Sequence, residues 1–227
     1  MRVVAQELDL LAELVPLAGR QIIELGCGAA PLARQLLARH ADCTVTALEV
    51  DERQLAKNLQ SPQDRLQFVC AGAQAIPFPA DRFDLALMLK SLHHVPLDLL
   101  ATALSEIHRV LRPQGLLYVS EPVFAGELNE VMRLFHDEEL VRAAALQALH
   151  SAVASGAWEQ VAEVHFQTPV HFASFDDFHR RMVGVTFQTH ALDEATLARV
   201  RARFEPHLGP DGAHFSRPMR VNLLRRR

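Results

Sequence analysis

The chain has 227 residues, 49% of them hydrophobic and 22% charged, with a net charge of -4. That length suits one α/β domain with a sizeable core, and the balance of charge shows no basic face for a nucleic-acid partner. No apolar run approaches the ~18 residues of a membrane span, and Glu7 and Asp9 interrupt the stretch where an export signal's apolar core would lie, so the expected location is the cytoplasm, as a monomer or homodimer.

Residues Val3 to Leu14 carry an amphipathic pattern, closed by Pro16 and Gly19, with Glu7 and Glu13 on the wet side. Gln21–Leu25 is a short apolar run that stops at Gly26, the mark of a buried strand. Pro31 to His40 reads as a helix opened by proline. Strands at Thr44–Glu49, Leu66–Cys70, Asp84–Leu89 and Leu116–Ser120 follow, with helices at Glu52–Leu59 and Leu97–Leu111 between them. This alternation predicts a mostly parallel sheet with helices on both faces, and a ligand beyond the C-terminal ends of the strands.

The pattern changes after Pro122. Two helices, around Leu128–Phe135 and Leu140–Ala154, read as a cap inserted after the fifth strand, or as helices packed on a sheet face. A strand over Val164–Phe172, helices near Asp176–Val183 and Glu194–Phe204, and a last strand over Arg217–Leu224 complete the chain. The expected organisation is one domain over 1–227: a cofactor-binding core to residue 121, a cap over 122–175, and C-terminal helices with the final strand over 176–227.

The sharpest feature is Glu24-Leu25-Gly26-Cys27-Gly28-Ala29-Ala30-Pro31. Gly26 and Gly28 permit a tight turn and close approach of a ligand to the backbone, and N–H groups at the helix start suit an anionic group. A nicotinamide site expects a third glycine three residues after Gly28, and a P-loop ends in Gly-Lys-Ser/Thr; neither is present. Glu49 follows Gly28 by 21 residues, at the end of the second strand, where a carboxylate accepts from a ribose diol. Asp51 is a second candidate for that role, or a helix cap.

In order, Ile22–Gly28, Ala47–Asp51, Ala75–Pro79 with Phe83–Leu85, Leu92–Val95, and Glu106–Gly115 make the segment from Gln21 to Pro122 resemble the class I S-adenosylmethionine-dependent methyltransferases, in particular their small-molecule branch. The resemblance implies a Rossmann-like, seven-stranded, mostly parallel sheet ending in an antiparallel hairpin. It implies S-adenosylmethionine as cofactor, S-adenosylhomocysteine as product, and a small-molecule acceptor. It implies cofactor contacts from Glu24, Gly26, Cys27, Gly28, Glu49, Val50, Gly72, Ala73, Gln74, Leu89 and Lys90, and the methionine carboxylate is the anionic group expected at the helix start. Two positions depart from the pattern. Ala30 stands for the third glycine, and Gly72 for an aspartate that many relatives use near adenine, leaving that base to Ala73 and Gln74, with Leu48, Val50 and Ile76 beside it.

Methyl transfer from a sulfonium is an in-line displacement, in which the protein mainly supplies orientation. A general base is needed where the acceptor arrives protonated, and His93 and His94 follow the fourth strand, where the methyl group should point; packing beneath the cofactor and helix capping are the other reading of the pair. Glu121, His136, His214 and Arg217 are candidate acceptor-binding residues by position. The chain has twelve histidines, among them His165, His171, His190 and His207, without metal-ligand spacing. The alternatives are a methyltransferase acting on RNA or protein, which should show a basic groove or an Asn-Pro-Pro-Tyr-like segment in place of Leu89-Lys90-Ser91-Leu92, and a non-catalytic cofactor-binding protein.

Overall fold

The computed structural model describes residues 2–183 and 192–227. The chain divides into two compact units: a sheet unit of residues 6–121, 141–164 and 220–227, and a second unit made of the described parts of 1–5, 122–140 and 165–219.

Seven long strands form the sheet: β1 (Gln21–Leu25), β2 (Thr44–Glu49), β3 (Leu66–Cys70), β4 (Phe83–Leu89), β5 (Leu111–Pro122), β6 (Trp158–Phe172) and β7 (Gly212–Arg226). Two further strands, Arg2–Val3 and Leu208–Gly209, are two residues long. The order of the long strands is β3-β2-β1-β4-β5-β7-β6. β1 pairs parallel with both β2 and β4, β2 with β3, and β4 with β5. The inner strands carry the uninterrupted apolar runs that two-sided burial requires: Ile22, Ile23, Leu85, Ala86 and Leu87 are fully buried. The chain leaves β1 toward β2 on one side and returns to β4 on the other, so β1 and β4 flank the point where connections diverge. That is where an open parallel sheet forms its ligand crevice.

In the sheet unit, α2 (Pro31–Arg39) buries Leu32, Ala33, Leu36 and Leu37. α4 (Leu100–Val110) buries Leu100, Ala103, Leu104, Ile107 and Val110 at helical spacing. α6 (Glu139–Ala154), read from sequence as a cap or as a helix packed on a sheet face, sends Ala145 and Leu149 into the same core as Ile107, Trp158 and Leu224. Its alanines at 144, 145, 148 and 152 allow that close approach. The stretch 122–175 is thus shared, with 141–164 in the sheet unit and the rest in the second.

The first helix begins at Glu7, not Val3: α1 spans Glu7–Leu14, while Arg2–Val3 pairs with Phe166–Gln167. Glu7, expected on the wet side, is half-buried, receives the Tyr118 hydroxyl at 3.4 Å, and has its carboxyl pKa pushed up by burial. Cys70 is exposed because β3 is an edge strand.

The second unit contains α5 (Glu127–Met132), α7 (Phe175–Phe178) continuing as a π-helical turn His179–Val183, and α8 (Glu194–Phe204). Its core is aromatic: Phe172, Phe175, Phe178, Phe204 and Phe215 pack with Leu128 and Val131, and the Phe178 and Phe204 rings lie 4.9 Å apart. Among the described residues, no helix is long and apolar enough to cross a membrane.

Candidate functional site

β1 ends in a left-handed turn. Gly26 and Gly28 have φ of 72° and 54°, and Ala30 has φ of 55° before Pro31 opens α2. Gly26 and Cys27 donate N–H groups to Leu48 O at 2.9 and 3.0 Å, and Ala30 donates to Cys27 O at 2.8 Å. The Asn58 amide, from α3 (Glu52–Leu59), donates to Gly28 O at 2.7 Å. A Cβ on Gly28 would meet no atom within 4 Å, so the loop opens onto free space there. Asp51 caps α3, its Oδ1 accepting from the N–H groups of Arg53 and Gln54.

Glu49 is 7% exposed and binds the loop. Its Oε2 accepts from Gly28 N–H at 2.7 Å, and its Oε1 from Val50 and Asp51 N–H at 2.8 and 2.9 Å. A carboxylate offers about four acceptor positions, so one remains for a ligand. The loop's own N–H groups are used within the protein. Those of Gly26, Cys27, Gly28 and Ala30 are all turned onto protein oxygens, because the turn closes on β2.

Beneath the loop lies a second acid. Glu24 is 3% exposed, its Oε2 has no partner, and its carboxyl takes a backbone hydrogen bond from Ala33. Burial, and secondarily the charge of Glu49, push the Glu24 pKa to about 8. Cys27 is buried beside both acids, which drives its thiol pKa far up and makes it an inert packing group.

After β3, the Gln74 side chain folds over Gly72. A Cβ at 72 would fall 2.4 Å from Gln74 Oε1 and 2.7 Å from Nε2. The carboxamide thus occupies the space a side chain at 72 would fill. Ala73 is 7% exposed. Of the three expected apolar neighbours, Val50 is 63% exposed beside Glu49, whereas Leu48 and Ile76, at 0% and 4%, are both part of the buried core.

The turn after β4 runs beside the glycine loop. Leu89 is half-buried, and Lys90 is exposed at φ 56° with its N–H on Ser120 O. Ser91 Oγ donates to Leu25 O at 2.7 Å. Leu92–His94 form one helical turn. Glu121, at the end of β5, accepts from Leu92 N–H at 2.9 Å through Oε1 and meets His93 Nδ1 through Oε2 in a short hydrogen bond. His93 and Glu121 are 5% and 3% exposed, whereas His94 is exposed with its ring 4.1 Å from that of His93. Glu121, expected at the acceptor, is therefore the partner that orients His93.

His136, His214 and Arg217 belong to the second unit. His136 Nε2 meets Glu138 Oε1 at 2.8 Å, His214 Nε2 meets Asp211 at 3.1 Å, and Arg217 is half-buried. His214 lines a cavity of about 550 Å³ with His165, His207, Gln167, Ser216 and Phe215; His136 and Arg217 do not line it. His190 lies outside the described residues. Ser91 and Asn58 were not legible as site residues: their roles, a backbone contact and a brace, depend on elements far apart in sequence.

Comparison with known proteins agrees with this geometry. A methyltransferase-domain family model matches residues 23–119. The chain is 33% identical over 120 residues to the 27-O-demethylrifamycin SV methyltransferase of Amycolatopsis mediterranei, covering 50% of this chain and 43% of that one. It is 34% identical over 128 residues to the O-methyltransferase rstn1 of Aspergillus nomiae, covering 52% and 55%. The matched segment thus spans about half the length of these curated relatives. The S-adenosylmethionine-dependent methyltransferase of Mesorhizobium loti has a similar fold, with a TM-score of 0.58 at 17% identity over 98% of both chains. The loop after β1 and the acid ending β2 both lie in the matched segment, and residues 23–119 are similar to a methyltransferase domain.

Proposed function

We propose that this chain transfers a methyl group from S-adenosylmethionine to a hydroxyl of a small-molecule acceptor, with His93 as general base. Three observations support the cofactor's fit. Gly28 opens onto free space, Glu49 keeps an acceptor position for a sugar hydroxyl, and Val50 presents an exposed apolar side chain next to it. When bound, this cofactor supplies an electrophilic methyl on a good leaving group. The chain's own task is to orient the acceptor and remove its proton.

The observation that carries the reading is the buried His93–Glu121 pair. Glu121 is held by Leu92 N–H and receives Nδ1 of His93, which fixes the imidazole tautomer and leaves Nε2 as the basic nitrogen. A proton leaving an acceptor hydroxyl is taken at Nε2, and the Glu121 carboxylate stabilises the resulting imidazolium. The names of the two curated relatives, each an O-methylating enzyme, support a hydroxyl acceptor.

The test is transfer of labelled methyl to a panel of phenols and sugar-like alcohols. His93→Gln should cut transfer by roughly 10²- to 10⁴-fold while leaving S-adenosylhomocysteine affinity within a few-fold. Undiminished transfer by that variant would remove His93 from the chemistry.

A further inference from the structure

The acids around the glycine loop have no cation among the contacts described, and they are not equivalent. Glu49 accepts from three N–H donors and keeps one acceptor position. Glu24 is sealed from water with one oxygen unpartnered. Of the two, Glu24 is the one whose burial, without a donor on its Oε2, disfavours the charged form. The other titratable groups facing this corner are the Cys27 thiol in the loop and Arg34 on α2, which acts on Cys27. With the N–H groups of Gly26, Cys27, Gly28 and Ala30 turned inward, the corner is suited to a positive group.

We infer that Glu24 carries a proton in the ligand-free protein and surrenders it when the ammonium of the aminoacyl tail arrives, so that cofactor binding releases a proton. The Glu24 O–H bond breaks, its proton leaves to the buffer, and the carboxylate pairs with the ammonium. The balance needs no further reactant. This rests on the cofactor reading above, and Glu24 acts as a positioning residue for the tail. Its upward-shifted pKa, near 8, agrees with a carboxyl that is mostly protonated at neutral pH.

The experiment is calorimetric titration of the whole chain with S-adenosylhomocysteine at pH 7, in phosphate and in Tris, whose ionisation enthalpies differ widely. The expected result is release approaching one proton per ligand, about 0.9 for a pKa near 8. Glu24→Gln should bind on the order of tenfold more weakly and release none. Infrared difference spectra of the unaltered protein should lose a protonated-carboxyl C=O band on binding, a readout independent of how the variant folds. Binding heats that do not depend on buffer, or release that persists in Glu24→Gln, would overturn the inference while leaving the cofactor reading intact. No binding at millimolar ligand by folded protein would overturn both.

Discussion

Ser91 stands directly against Gly26: a Cβ on the glycine would come within 2.7 Å of the serine Cβ. The same serine donates its hydroxyl to Leu25 O at 2.7 Å, so the turn after β4 is clamped to the end of β1. Gly26 has no room for a side chain and sits at φ 72°. Gly26→Ala should therefore destabilise the fold by about 2–4 kcal/mol, combining left-handed strain with overpacking. Denaturant unfolding checks this, and a variant as stable as the parent would show the clamp to be loose.

Ala30 gives the opposite prediction. It occupies the third-glycine position of the loop at φ 55° with no side-chain cap for α2. Ala30→Gly removes the Cβ penalty of the left-handed region and should raise stability by roughly 0.5–1 kcal/mol. Thermal unfolding of the pair of proteins measures it.

Gly72 and Gln74 should behave as a unit. Gly72→Ala displaces the far end of a flexible side chain, so the melting temperature should change by no more than a few degrees. Binding of S-adenosylhomocysteine should weaken as much as in Gln74→Ala, on the order of several-fold, and the double variant should be no weaker than either single one. Additive losses would separate the two residues.

Glu24 predicts a pH dependence of stability in the ligand-free protein. Its folded pKa, about 8, lies above the ordinary carboxyl value of 4.5. The stabilisation is complete below the ordinary value and is lost as pH rises toward 8, at most about 1.4 kcal/mol per pH unit. Between pH 5 and 8 the parent should lose a few kcal/mol relative to Glu24→Gln. Parallel curves for the two proteins would place Glu24 in a wetter setting.

The sheet was readable because its inner strands are buried on both faces and so appear as unbroken apolar runs, and because glycines punctuate the end of β1. Glu49 was readable from its distance to Gly28. Its bonds to Gly28, Val50 and Asp51 were not, since nothing local says that the loop folds back onto β2. His93 and Glu121 were each visible as candidates, but their pairing joins residues 28 apart through the β4–β5 ladder, and Glu121 was expected at the acceptor instead. The start of α1 was misread because Val3 and Val4 fit a helical stripe and a strand equally well. The packing of α6 depends on alanines whose small size matters only once a partner surface is known.

The most direct test is a crystal structure with S-adenosylhomocysteine. It should show the ligand's tail along Gly26–Gly28, its ammonium at Glu24 and its sugar hydroxyls at Glu49. Clear density for the ligand elsewhere, with Glu49 still closed on Gly28, would contradict the assignment.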